Sequence, residues 1–264
     1  MGKPESAPFN HMTAPVSATP FIGKPLDFLW GIGADLAIFF VTLFWGTLAI
    51  VLMLISGRGW AADMFAPIWS RWILKACGIR VEIEGLQHID RKRSYVLISN
   101  HLSNFDIWVI LAALPLPIRF VAKKELLRVP VFGQALALSN HIVIDRSNPD
   151  AAIARINARV AANAAEPFCI LFFAEGTRSP DGGVHAFKKG GVTLAIRTSL
   201  PIVPVSISGT RKFLPKRRAI IRPRGRVKIV LDIPIETHSF RVEARDALNE
   251  RVRAVVIKNY VEEF

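Results

Sequence analysis

From Leu36 to Gly57 the chain runs LAIFFVTLFWGTLAIVLMLISG, 22 residues without a charge. A helix needs about 20 apolar residues to cross the hydrocarbon core of a bilayer. The stretch therefore predicts a membrane helix. A buried helix of a soluble domain is the alternative, but a chain this short has little interior with which to surround one on every side. Trp60 to Ile79 follows, with Phe65, Trp69, Trp72, Ile73 and Leu74 at partly helical spacing among Asp63, Arg71 and Lys75. Tryptophans mixed with cations suit a bilayer interface; core packing is the other use of such a face. The two segments read as a crossing helix with an interfacial one, as a hairpin, or as a monotopic pair.

Beyond residue 79 the pattern changes. Val81-Glu82-Ile83-Glu84 alternates as a strand does, and Tyr95 to Ile98 is a short apolar run. A helix is expected near Ser103, ending before Pro115. Arg119–Ala122, Ile142–Ile144, Phe168–Phe173, Ile202–Ile207 and Val227–Leu231 are further strand candidates. Asp150–Glu166 is alanine-rich and predicts helix, as does the spacing over Arg241–Tyr260. Strands alternating with helices imply an α/β layered domain, with no internal repeat and with a strand order the pattern does not specify. The chain divides into an irregular lead-in at 1–33, rich in proline and glycine, a membrane-associated helical segment at 34–79, and a globular domain at 80–264. The apolar run lies too deep for an ordinary signal peptide.

Charge adds a class of partner. The formal net charge is +13, which draws the chain to nucleic acid or to anionic lipid. Residues 211–228 concentrate nine basic residues and no acid. They lack interleaved aromatics and zinc-finger spacing, so a membrane-anchored nucleic-acid binder is the rival and no nucleic acid is expected as a partner. Cys77 and Cys169 form neither a ligand pattern nor a disulfide framework. No metal-ligand spacing is present.

The chemistry collects where apolar runs end. Asn100-His101-Leu102-Ser103-Asn104-Phe105-Asp106 follows the Tyr95–Ile98 run, and polar residues at the end of a buried strand are well placed for a crevice. If a helix begins between them, its first turn returns the Asp106 carboxylate to the His101 imidazole. That pairing would fix the tautomer and let His101 take a proton from a hydroxyl. Ser103 reads as a helix cap or as a nucleophile without the strand–nucleophile–helix signature. A second string, Glu175-Gly176-Thr177-Arg178, also terminates an apolar run. Arg178 offers a fork of donors suited to phosphate, Gly176 permits close backbone approach, and Glu175 could orient Arg178 or bond a polyol. Lys123, Lys124, Arg146, Lys188 and Lys189 also lie at or near strand ends. Singly each is surface charge; together they suit an anionic substrate.

These strings resemble the signature blocks of the lysophosphatidic acid acyltransferase family, within the glycerolipid acyltransferases. Asn100, His101, Ser103 and Asp106 match its Asn-His-x-Ser-x-x-Asp block. Ala122–Leu126 with Pro130, Gly133 and Ile144-Asp145-Arg146 resembles the second block, Glu175–Ser179 the third and Pro201–Val205 the fourth, in family order. Ala174 and Asn140 depart from it, standing where proline and glycine are frequent. The resemblance covers roughly 70–235. It implies a glycerolipid-acyltransferase-like fold with a mostly parallel central sheet behind an N-terminal hydrophobic helical anchor, on the cytoplasmic face of a membrane. It implies direct acyl transfer from acyl-CoA or acyl carrier protein, a co-substrate rather than a cofactor, to the sn-2 hydroxyl of 1-acyl-sn-glycerol 3-phosphate. Another lysophospholipid or an aminolipid is the alternative acceptor. His101 and Asp106 would be catalytic. Arg178, Lys123 and Arg146, with Glu175, Gly176 and Thr177, would bind the acceptor, and backbone donors near Pro204–Val205 would help stabilise the oxyanion. Membrane phospholipids are the expected surroundings; no oligomeric state follows.

Overall fold

The computed structural model describes residues 25–56, 60–123, 127–138, 142–144, 154, 156–158, 167–216, 218, 220–222, 224–262 and 264. Seven strands form one sheet: β1 (Ile79–Glu84), β2 (Tyr95–Ser99), β3 (Ile118–Lys123), β4 (Ile142–Ile144), β5 (Cys169–Phe173), β6 (Ile202–Ser208) and β7 (Gly225–Leu231), in the order β1-β7-β6-β2-β5-β3-β4. Every pairing is parallel except β6 with β7. The mostly parallel sheet is therefore as expected.

Parallel strands need covered faces, because their crossovers lay helices over the sheet. Alternation along β2 shows both faces in use. Tyr95 and Leu97 join Leu171, Val203 and Val205 in a core closed by Phe105, Val109 and Ile110 of α3 (Phe105–Ala113) and by Ile73 and Leu74 of α2 (Trp60–Ala76). Val96 and Ile98 face the other way, with Ile170 and Ile202. There they meet Val192 and Ala195 of α5 (Gly190–Thr198) and Leu248, Val252 and Val256 of α6 (Arg245–Asn259). Each strand candidate falls within an observed strand to a residue or two at its ends. Within the alanine-rich stretch 150–166, Ala154 and residues 156–158 are helical; the rest lies outside the described residues. The short helix α4 (Phe132–Leu138) precedes β4.

Helix α1 runs Pro25–Ser56, so the irregular lead-in does not extend to residue 33. Proline at a helix start gives up only an N–H that had no partner there, and Leu26, Phe28, Leu29, Trp30 and Ile32 extend apolar side chains upstream, interrupted by Asp27 and Asp35. Gly31 is needed where it stands: a Cβ there would lie 2.6 Å from the Ile221 carbonyl oxygen. Residues 1–24 lie outside the described residues. At about 1.5 Å per residue, 32 residues exceed the roughly 30 Å of a hydrocarbon core, and α1 is long and apolar enough to cross a membrane.

Helices α1 and α2 pack on each other through Ala49 and Met53 against Ala61 and Phe65. The Trp69 indole donates to Thr42 Oγ1 at 3.0 Å. The hairpin leans on the sheet's first core through Ala34, Ile38 and Val41. The opposite side of α1 leaves Leu29, Phe39, Phe40, Phe44, Leu54 and Ile55 exposed, an apolar face of the kind that meets lipid. The tryptophans of α2 divide: Trp69 packs inward against Trp108, while Trp72 is exposed.

Candidate active site

Strands β2, β5 and β6 are neighbours and parallel, so the segments that follow them emerge side by side along one edge of the sheet. Ligand crevices of open α/β sheets form at that edge. After β2 the buried Asn100 amide continues the sheet with a side chain. It donates to Ile207 O and accepts from the Ile207 N–H, both at 2.9 Å. The backbone can turn away there without stranding polar groups.

His101 comes next. Its Nδ1 lies 2.8 Å from Asp106 Oδ2. Asp106 stands in the first turn of α3, where amide N–H groups have no helical partners. Its Oδ2 also accepts the N–H groups of Leu102 at 2.7 Å and Ser103 at 2.9 Å, and its Oδ1 accepts the Thr210 hydroxyl. The carboxylate is fully buried and wholly occupied as an acceptor. A proton on Nδ1 satisfies that contact, which leaves the Nε2 lone pair available. The imidazole is 15% exposed. Nε2 has no hydrogen-bond partner among the described residues. The Phe173 ring, last of β5, stacks on the imidazole with centroids 4.0 Å apart and planes 15° from parallel. A carboxylate behind and an aromatic beside it hold the ring in one orientation.

Glu175 acts on the backbone of the same residue. Its Oε1 accepts the His101 N–H at 2.8 Å and its Oε2 the His185 N–H at 3.3 Å. Ser179 N–H donates to the His101 carbonyl at 2.7 Å. Both Glu175 oxygens thus brace the backbone, and among the described residues Glu175 has no hydrogen bond to Arg178. Burial pushes its carboxyl above the ordinary 4.5, against the lowering pull of the two amides and the two histidines. Ser103 is buried, its hydroxyl donating to the Leu214 carbonyl at 2.9 Å and accepting from the Phe105 N–H. That geometry suits a turn-holding residue.

The cations gather on the Glu175–Arg178 turn. Gly176 has φ 73°, and a Cβ there would meet Lys188 Cε and Nζ at 2.7 Å, so glycine lets the lysine pass over the backbone. Lys216 Nζ donates to Thr177 Oγ1 at 3.0 Å. Arg178 is half-buried and has no hydrogen bond or ion pair among the described residues. Lys123 ends β3, on the same edge; its side chain, Lys124 and Arg146 lie outside the described residues. Pro204 and Val205 lie inside β6, paired with Ile98 and Ser99 of β2, and Val205 also with Leu231 of β7. The Val205 backbone is engaged in the sheet on both sides, and Pro204 has no N–H to donate.

Sequence reading missed Thr210, Phe173 as a ring platform and Lys216. Thr210 and Lys216 come from the loop after β6, more than a hundred residues from His101. Only a known β2–β6 pairing could have placed them.

Known proteins resemble this chain in sequence and in fold. The Acyltransferase family model matches residues 80–208. A 1-acyl-sn-glycerol-3-phosphate acyltransferase of Limnanthes alba is 34% identical over 199 residues, 75% of this chain and 69% of the relative. One from Pseudomonas aeruginosa is 32% identical over 222 residues, covering 83% and 85%. The crystal structure of the 1-acyl-sn-glycerophosphate (LPA) acyltransferase PlsC from Thermotoga maritima shares the fold. Its TM-score is 0.73 at 24% identity, over 88% of this chain and 94% of that one. By relatives above 30% identity matched along most of their own length, the chain belongs to the 1-acyl-sn-glycerol-3-phosphate acyltransferase family.

Proposed function

We propose that this acyltransferase moves a fatty acyl group from acyl-CoA or acyl carrier protein to the sn-2 hydroxyl of 1-acyl-sn-glycerol 3-phosphate, with His101 as general base. The observation that carries the reading is the asymmetry of the imidazole. Nδ1 is tied to a buried carboxylate that three further donors hold, while Nε2 is left for a substrate. Nε2 takes the hydroxyl proton as the oxygen attacks the thioester carbonyl. Asp106 stabilises the imidazolium that forms. The tetrahedral intermediate then collapses, the C–S bond breaks, and the imidazolium returns its proton to the departing thiolate. The Ser103 hydroxyl is committed to Leu214, which favours direct transfer over an acyl-enzyme.

Arg178 carries a planar fork suited to the acceptor phosphate, and Lys188 and Lys216 add charge on the same turn. The names of the curated relatives, 1-acyl-sn-glycerol-3-phosphate acyltransferases, support this acceptor. The exposed apolar face of α1 supports delivery of the site to a bilayer where such acceptors reside.

The test is an acyl-transfer assay with purified full-length protein, a panel of lysophospholipids and glycerol 3-phosphate, and both donor types. Lysophosphatidic acid should give phosphatidic acid at the highest kcat/KM. His101→Ala should keep its fold and lose about 10²- to 10⁴-fold in kcat, the usual contribution of a positioned base. Preference for a different acceptor would move the assignment; near-normal turnover by folded His101→Ala would remove the mechanism.

A further inference from the structure

Away from the His101 crevice, a groove of about 790 Å³ lies between α2, the end of α3 and the first residues of β1 and β7. Its size is that of a small-ligand site. Five basic residues line it and no acidic one: Arg71, Lys75, Arg80, Arg224 and Arg226. Leu74, Ile79, Val81 and Ala112 supply apolar wall. Strand alternation sets Arg80 and Arg226 on the sheet face opposite Ile79 and Val81, so they flank the rim.

Three features say that this charge is built in. Arg80 and Arg226 stand in register on neighbouring parallel strands, a like-charge pairing that is only partly compensated. Arg226 has partial relief from Glu82 at 3.4 Å; Arg80 and Lys75 have no protein partner among the described residues. Arg224 has φ 65°, in the left-handed region that glycine occupies more cheaply. Its stem passes over Gly78, where a Cβ would lie 3.0 Å from Arg224 Cγ. Its guanidinium sits 4.6 Å from the Trp30 ring centroid. An arginine is thus held in a strained backbone state, over a glycine that makes room, with its head at the base of α1.

We infer that this groove is a binding site for the headgroup of one anionic phospholipid of the surrounding bilayer, separate from the acceptor site. The groove lies where α2 ends, and its Arg224 reaches the exposed Trp30 ring near the start of α1. Such rings sit at headgroup level. Apolar wall from Leu74, Ile79, Val81 and Ala112 beside the cations suits a ligand that is both anionic and lipidic. An anion seated there would offset the excess positive charge that Lys75, Arg80 and Arg224 bring to the groove.

The inference concerns binding and does not rest on the acyl-transfer reading, so it is tested without turnover. Full-length protein carrying His101→Ala, in non-ionic detergent, is titrated calorimetrically with dihexanoyl phosphatidylglycerol and, separately, dihexanoyl phosphatidylcholine. Saturable binding of the anionic lipid alone is expected. The Lys75→Gln/Arg80→Gln double substitution should weaken it about 30-fold, from the usual contribution of basic residues facing anionic headgroups. Both side chains are exposed, and an unchanged thermal melt checks the fold. Equal binding of the zwitterionic lipid, or an affinity untouched by the double substitution, overturns the site. Displacement of the phosphatidylglycerol by coenzyme A, lost in the double variant, would overturn it in favour of a donor site.

Discussion

At the scale of residues, the chemistry rests on how many groups hold one imidazole. Thr210 is a positioning residue: it touches Asp106, which touches His101. Thr210→Val keeps the shape and removes one donor from a buried carboxylate. A hydrogen bond to a charged group is worth about 1.5–3 kcal/mol. We expect kcat to fall about 10-fold with KM nearly unchanged, and Thr210→Ser to restore it; a rise in KM alone would place Thr210 in binding instead. Glu175 gives a pH prediction. Its folded-state pKa lies above the ordinary 4.5 because burial disfavours the ionised form. The folded protein then binds that proton more tightly than the unfolded chain does. Its contribution to stability is fully present below 4.5 and declines as pH rises through the raised value. Thermal melts from pH 4 to 7.5 should show wild type losing ground to Glu175→Gln as pH rises; a constant gap would contradict the shift. His101 and Asp106 were legible because five residues and a helix start suffice to join them. Glu175 was legible as a site residue but not in its role. Its partners are the amides of His101 and His185, 74 and 10 residues away, and no side-chain pattern encodes a backbone acceptor.

At the scale of elements, periodicity located the strands because both sheet faces are covered and the apolar runs are uninterrupted. It gave no strand order, which depends on pairings such as β2 with β6, a hundred residues apart. It also misplaced the start of α1, where Gly31, read as irregular, serves close packing against Ile220 and Ile221. How α2 is fastened was invisible as well. Arg119, buried in β3, forms a two-pronged ion pair with Asp63 of α2, with Nη2 to Oδ2 at 2.7 Å. Its Nε has no hydrogen-bond partner among the described residues, so the guanidinium depends on that carboxylate. Asp63→Ala strands a buried charge and should destabilise by about 3–5 kcal/mol. Asp63→Ala combined with Arg119→Met removes the stranded charge and should recover most of the loss. Urea unfolding of full-length protein in detergent reads both. A single substitution that melts like wild type would show that the hairpin is held by apolar contacts alone.

At the scale of the whole molecule, three surfaces ask for one arrangement. The outer face of α1 is apolar along its length, the groove at the base of the hairpin is basic, and the catalytic crevice opens along the strand edge from which the loop carrying the 211–228 basic run also emerges. An apolar face in the bilayer with cations at its border is the arrangement that anionic lipid favours. We therefore expect the hairpin to hold the protein in the membrane, with the His101 crevice on the cytoplasmic side, where acyl-CoA and acyl carrier protein are found. A carbonate wash should leave the full-length protein in the membrane pellet. The sidedness can be read with one engineered thiol, because the native ones are quiet: burial pushes both Cys77 and Cys169 up to about 12, with the Asp35 charge adding to the effect at Cys77. Pro180 is exposed on the turn that follows the Glu175–Ser179 block. Pro180→Cys should stay unlabelled when an impermeant maleimide is applied to intact cells and react once the cells are opened. Wild type should stay unlabelled in both conditions. Labelling of Pro180→Cys from outside intact cells would put the crevice on the side without acyl donors, and the topology would have to be abandoned even if the purified enzyme were active.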